Sequence, residues 1–239
     1  MRANLYLLAV VALVISSFGC KPNTRELEGS VFIVTKGRDN VKLGLVTISL
    51  HDANAARTSL HKLVEQVQAR ANDVQMQATP LALSVQELCA DANPIAERYD
   101  AQPSTDNRAK LEVRREEINK VTRDFNSKIE PLNRIVKNYD HLCYEAIQQP
   151  LVTVKTDADG KFTMKIPRNG EFIITASASR DVGGRVEEYL WAVSVSLEGK
   201  PRDQIFLSND NMISSGSSES VIPELPVESI KPLKEMPPL

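Results

Sequence analysis

The sequence predicts an α+β protein: a seven-stranded antiparallel β-sandwich into which an antiparallel, coiled-coil-like helical hairpin is inserted. Three observations carry that expectation. Apolar residues alternate with a period of two before residue 52 and again after residue 150. Between those limits they recur with a period of seven. The stretch Thr156-Asp157-Ala158-Asp159-Gly160-Lys161-Phe162 separates two alternating runs, 151–155 and 162–166, as a polar turn closing on glycine should.

The chain opens on an address. Arg2 supplies a positive start, residues 5–15 form a short apolar run, and Ser17-Phe18-Gly19-Cys20 follows. A run this short reads as a signal peptide, residues 1–19, rather than a spanning helix. Gly19-Cys20 resembles the bacterial lipobox, although Ser17 stands where that box more often carries leucine. The resemblance implies an acylated N-terminus at Cys20, and several acyl chains anchor stably where one does not. An ordinary signal peptide with an unmodified cysteine is the alternative. Lys21, in place of aspartate, favours an outer-membrane destination by the same resemblance. Residues 20–27 read as a polar tether.

Residues 30–35 form the first strand, with Val31 and Ile33 on one face and Phe32 and Val34 on the other. Apolar residues on both faces call for burial on both sides. Residues 36–40 are a turn, and 43–50 are the second strand. From residue 53 the seam begins: Leu60, Val64, Val67, Ala71, Val74 and Ala78 continue in fours and threes to Ile95 and Tyr99. A polar break at 100–106 holds Pro103 and Ser104. The seam resumes at Leu111 and Ile118 and runs through Phe125, Ile129, Leu132, Tyr139 and Cys143, with Arg115 and Thr122 as interruptions. Two such arms make an antiparallel hairpin over 53–149, each about 65 Å long. Thr79-Pro80 and Asn93-Pro94 each look like an N-cap followed by proline, so a break or kink is expected at both, and at Pro131.

Strands follow at 151–155, 162–166, 172–179, 188–197 and 204–207. The turn at 156–162 resembles the TDxxGxF/Y turn of carboxypeptidase regulatory-like domains. Glu28-Gly29-Ser30-Val31-Phe32 is similar to that family's opening strand, 43–50 to its second, and Gly170-Glu171-Phe172 to the motif before a later strand. The resemblance covers 28–52 and 150–208 and implies a transthyretin- or immunoglobulin-like sandwich. About 95 residues of helix stand where the family has a short loop, an insertion that costs little additional closure entropy. Sandwiches of this kind serve many roles, so the resemblance implies a fold and no activity. Residues 209–239, with a serine cluster at 214–220 and five prolines from Pro223 to Pro238, read as a disordered tail.

The chemistry is sparse. With 29 basic and 31 acidic residues, the net charge of −2 argues against a nucleic-acid partner. No nucleophile elbow is present, and paired carboxylates such as Glu116-Glu117 read as solvated helix faces, so no enzyme is expected. The only histidines are His51, His61 and His141. In a hairpin turning near residue 103, His61 and His141 approach near its base, with Glu65 or Glu145 as further ligands. Two surface histidines on neighbouring helices are the commoner outcome, and no cofactor or metal is assigned. Asp157 and Asp159 with the Gly160 carbonyl form a weak calcium candidate. An aspartate bonding its own turn is the alternative. Trp191 and Tyr189 form a candidate sugar-stacking platform, against which their period-two spacing favours a core face. Arg180 and Arg185 bracket a glycine turn, an exposed loop with anion binding as the lesser reading.

Export favours pairing of Cys89 and Cys143, whereas the extended hairpin sets them about 39 Å apart along its axis. The expectation is an extended hairpin without that disulfide; a folded-back bundle is the alternative. The function expected is a non-enzymatic lipoprotein of the bacterial envelope, facing the periplasm or the cell surface. Its membrane contact would be Cys20, and residues 53–149 would meet another envelope protein. The alternative is a carbohydrate- or other ligand-binding module using the sandwich loops.

Overall fold

The computed structural model describes residues 24–196, 204–215 and 220–223. The signal peptide, Cys20, residues 197–203 and most of the tail lie outside them. The described chain runs β1 (Thr24–Val34), β2 (Asn40–Lys42), β3 (Thr47–Asp52), α1 (Ala53–Ala101), α2 (Thr105–Lys137), α3 (Tyr139–Ala146), β4 (Val152–Lys155), β5 (Lys161–Pro167), β6 (Glu171–Val182), β7 (Arg185–Ser196) and β8 (Gln204–Leu207), then two short 3-10 turns. The protein is α+β, and its contacts divide it into a β unit (to Ala53, and 149–220) and a helical unit (54–148, joined by the chain from Val221).

The β unit is two four-stranded sheets around one core. In the first, β1 pairs with β2 and β5 on one side and β8 on the other; the second has the order β4-β3-β6-β7. Leu27, Val31, Met164, Ile166 and Leu207 from the first sheet share a core with Ile48, Leu50, Ile174, Trp191 and Val193 from the second. The strand count is eight, one more than the seven expected among the described residues. Of the stretch expected as one strand over 43–50, only the second half is strand, within Thr47–Asp52, which pairs with β4 and β6; a separate short strand, Asn40–Lys42, precedes it from the end of the expected turn and pairs with β1. Leu45, at φ 61°, lies in the bend between them. Nor is the unit wholly antiparallel, because β8 runs parallel to β1. Alternation reveals a half-buried strand but not its direction, so that pairing was beyond the pattern.

Two boundaries move. β1 begins inside the expected tether, with Arg25 opposite Ile166 and Leu27 opposite Met164. Leu27 is fully buried, and its burial draws the polar residues around it into the ladder. At the other end, the tail expected to be disordered from 209 starts as ordered structure. The Ser208 and Asn211 side chains form a capping box on Asn209–Asn211, the Asn209 carboxamide accepts the Val34 amide at 2.6 Å, and Met212 bridges to Trp191. The strand expected outward and covered at Phe32–Val34 is only partly shielded: Val34 is 39% exposed.

The insertion closes as the sheet requires. Leu50 lies opposite Val152, and the Leu151 amide donates to the Leu50 carbonyl at 2.7 Å. The intervening helices form without the expected breaks. α1 runs unbroken for 49 residues, about 74 Å at 1.5 Å per residue, with Pro80 and Pro94 inside it. Thr79, expected as a cap, instead donates its hydroxyl to the Gln75 carbonyl at 2.7 Å, one turn back within the helix. A proline costs roughly 3 kcal/mol in a helix interior, and a long helix held by its seam absorbs that without ending. Pro131 likewise lies inside α2, which stops six residues later at Lys137. The hairpin turn is short: α1 ends at Ala101, and the Ser104 hydroxyl accepts the Asn107 amide at 3.2 Å to start α2.

Candidate functional site

The helical hairpin holds the longest element among the described residues, the 49-residue α1. Its register is fixed by Arg114, 3.8 Å from Asp91, so residues whose numbers sum to about 205 lie level, as a turn near 103 requires. Toward the base the seam is mostly closed: Leu60, Val67, Ala71, Val74 and Ala78 on α1, and Ile118, Phe125, Ile129 and Leu132 on α2, are buried, with Val64 half-buried. Thr122, expected to interrupt the seam, is buried within it. Toward the tip the seal loosens. Leu88, Ala92, Ile95 and Leu111 are only half-buried, and Val113 is 59% exposed. Ile95, Ala109 and Val113 line a shallow depression there, edged by Lys110, Arg114 and Glu117. A second apolar feature lies on α1 away from the seam: Met76 (72% exposed), Pro80 and Leu83 (54%) line another depression.

The turn at 156–162 is a closed hydrogen-bond system. Thr156 is buried; its hydroxyl donates to the Leu43 carbonyl and accepts the Val46 amide, both at 2.9 Å. The Asp157 carboxylate accepts the Asp159 and Lys161 amides at 2.8 and 2.9 Å. Gly160 takes φ 73°, and a Cβ there would lie 2.5 Å from the Val31 carbonyl. Its own carbonyl accepts the Val31 amide at 2.8 Å. Asp159 points outward to the Lys42 ammonium at 2.7 Å. That hydrogen bond and its charge hold the Asp159 carboxyl below, and the Lys42 ammonium above, their ordinary ranges. Each group named for calcium is therefore already engaged within the chain. The Asp–backbone reading fits this geometry.

Trp191 and Tyr189 do not form an exposed platform. Trp191 is fully buried, its indole N–H donating to the Ser208 carbonyl at 2.8 Å. Tyr189, 6% exposed, packs against it with ring centroids 6.1 Å apart and donates a hydrogen bond from its hydroxyl to the Glu187 carboxylate. Glu187 also meets Arg180 at 3.3 Å, and the Tyr189 bond first, then Arg180, lowers the Glu187 carboxyl below its ordinary range. Arg180 is not in a loop: it lies half-buried within β6, opposite Glu187, Arg185 opens β7, and the exposed turn between the strands is Gly183-Gly184 at φ 61° and 80°.

His61 pairs with Glu65 on its own helix at 3.4 Å, both well exposed, and His141 is exposed. His51 is buried in the β unit, 2.9 Å from the Thr175 hydroxyl. Among the described residues no three His, Cys, Asp or Glu side chains gather as a metal site. Cys89 and Cys143 are free thiols. Burial pushes the Cys143 thiol up to about 11, with a bond from Tyr139 acting the other way, so it is a poor nucleophile. A contact with no signal in the sequence pattern ties α3 to the chain beyond β8: the Tyr139 hydroxyl donates to the Pro223 carbonyl at 3.3 Å. Among the described residues no helix is long and apolar enough to cross a membrane.

No family model matches the chain, and no curated protein matches it. Among solved structures, a candidate carbohydrate-binding protein from Pseudomonas aeruginosa is similar at 12% identity and a TM-score of 0.30, over 78% of this chain and 88% of that one. A likeness at that score carries no argument about fold or function.

Proposed function

We propose that this is a non-enzymatic lipoprotein of the bacterial envelope, anchored through acylated Cys20, whose helical hairpin meets another envelope protein at its tip. The β unit, read as a transthyretin-like sandwich of the carboxypeptidase regulatory-like kind, serves as the base that carries the arm. One observation supports the hairpin as the working surface: its seam buries Leu60, Val67, Ala71, Val74 and Ala78 yet leaves Leu88, Ala92 and Ile95 in succession half-buried, with Val113 exposed beside them. Apolar side chains that two helices leave uncovered are the ordinary raw material of a helix-in-groove contact. The carbohydrate reading loses its platform, because Trp191 and Tyr189 are interior residues.

The test has two arms. Cys20→Ser should move the protein from the membrane to the soluble fraction; persistence in washed membranes sinks the anchor. Crosslinked envelopes should yield a partner with the parent chain and lose it with Ile95→Glu combined with Val113→Glu. Full retention of every crosslinked species in that variant rules out the tip.

A further inference from the structure

We propose that the side chain of Arg25, in the β unit, is an oxyanion receptor that takes a phosphate group, supplied by a phospholipid headgroup where the chain is anchored at Cys20. Arg25 lies on the face of β1 that turns to the core. Leu27, Val31 and Ile33 on that face are buried, and Arg25 itself is half-buried, opposite Ile166. Its Nε and Nη2 are shut off from solvent, and among the described residues neither has a hydrogen-bond acceptor. These two nitrogens form one edge of the guanidinium. Their N–H bonds run parallel, as the fork that grips two oxygens of a carboxylate or a phosphate at once. Asp52 and Glu171, the carboxylates at the same end of the facing sheet, have partners, and neither reaches this edge. A buried charge with unmet donors costs more than a neutral group in the same place, and an ion or ligand is the ordinary resolution.

The place suits a headgroup. Arg25 stands on the second rung of the β1–β5 ladder, after Thr24 opposite Pro167. The pairing of β8 with β1 starts only at Glu28, so among the described strands β5 alone flanks Arg25. A terminal rung frays at small cost, and an anion reaches the fork without opening the core. Five residues separate Arg25 from Cys20, a span of at most about 18 Å. The polar layer on each side of a bilayer is about 5–8 Å deep. An acylated Cys20 therefore keeps Arg25 within reach of the phosphates. A carboxylate fits the same fork, but the phosphate is the oxyanion that every phospholipid carries. The headgroup as source rests on the lipoprotein reading; the fork does not.

The experiment follows melting by the fluorescence of Trp191, the one tryptophan of the sequence and a residue of β7. In the first arm the full chain with Cys20→Ser is melted in chloride and in inorganic phosphate of equal ionic strength. Phosphate should raise the midpoint by several degrees. The gain should vanish on adding Arg25→Met and fall by more than half with Arg25→Lys, which keeps the charge and loses the fork. In chloride, Arg25→Met should melt at or above its parent, because it sheds an unmet buried charge; an arginine kept only for packing would give a fall. No phosphate gain in the parent, an equal gain in all three chains, or a fall of several degrees for Arg25→Met in chloride overturns the receptor. In the second arm the acylated chain is melted in vesicles of phosphatidylcholine and of an uncharged glycolipid. A higher midpoint in the phospholipid, lost with Arg25→Met, assigns the headgroup. Equal midpoints beside an intact phosphate gain overturn the headgroup and leave a site for free phosphate. A chain that joins neither vesicle sinks the anchor and the headgroup together, while the first arm still reads the fork.

Discussion

In the β unit Trp191, Leu27, Ile48 and Ile166 are wholly shielded from solvent, whereas along the hairpin burial fades from Leu60 and Ile129 to half-exposed Ala92 and Ile95. The difference is geometric. Two facing sheets enclose a side chain on both sides, and β6 and β7 are long enough to extend that enclosure over several rows. Two helices cover only the line along which they touch. Where that line carries large residues from both arms, as at Val67, Val74, Ile129 and Leu132, it seals; where α1 offers Ala92 and α2 offers Arg114, it does not. One region spends its apolar residues on its own stability, and the other holds some back at its surface.

The comparison breaks first at Trp191. Trp191→Ala removes the largest fully buried side chain among the described residues and leaves the Ser208 carbonyl with only the longer bond from the Asn211 amide, at 3.3 Å. It should cost about 3–5 kcal/mol of the stability of the β unit, read by urea unfolding and by hydrogen exchange across β6 and β7. A loss below about 1.5 kcal/mol would show that the two sheets close without it.

Next, the hairpin itself offers a pair. Ile129→Ala, at a fully buried seam position, should cost about 2–5 kcal/mol; Ile95→Ala, half-buried toward the tip, should cost well under half of that. The readout is helical circular dichroism against urea. Equal costs at the two positions would mean that the tip is sealed in solution, and would remove the surface on which the proposed contact depends.

These contrasts also explain what could be read from the sequence. The turn at 156–162 was legible because its bonds are local, Asp157 to its own Asp159 and Lys161 amides. The hairpin register was legible because a period of seven, once counted, fixes which residues are level. Other features depend on distant partners. The polar look of residues 20–27 hid Leu27, whose burial depends on Met164 and its neighbours, more than 130 residues away. The parallel pairing of β8, the Tyr139–Pro223 bond and the Val34–Asn209 bond leave no local pattern at all. At Pro80 and Pro94 the break that the local signal allowed does not occur, because the length of α1 overrode it.

Thr156→Val probes the β unit at a single buried hydroxyl. The change keeps the shape and deletes one hydroxyl, which leaves the Val46 amide and the Leu43 carbonyl short of a partner in a buried place. About 1–3 kcal/mol should be lost from the β unit, with the helical signal unmoved. No measurable loss would mean that water reaches the turn.

The smallest effect belongs to Lys42 and Asp159, whose side chains are 58% and 62% exposed at the edge of that same turn. The sign follows from the two directions. The depressed Asp159 carboxyl contributes stability that is fully present above the ordinary aspartate range and is lost as pH falls from there through its lowered folded-state value. The raised Lys42 ammonium contributes stability present at neutral pH and lost as pH rises past the ordinary lysine range. Solvent screens both, so Asp159→Asn should leave neutral-pH stability close to that of the parent, with a difference that shrinks further in high salt. Asp157→Asn, which replaces the carboxylate that accepts two backbone amides, should cost clearly more at the same pH. Urea unfolding of the two variants from acid to neutral pH checks the order. If Asp159→Asn proves the costlier change, the outward ion pair, and not the inward hydrogen bonds, holds the turn.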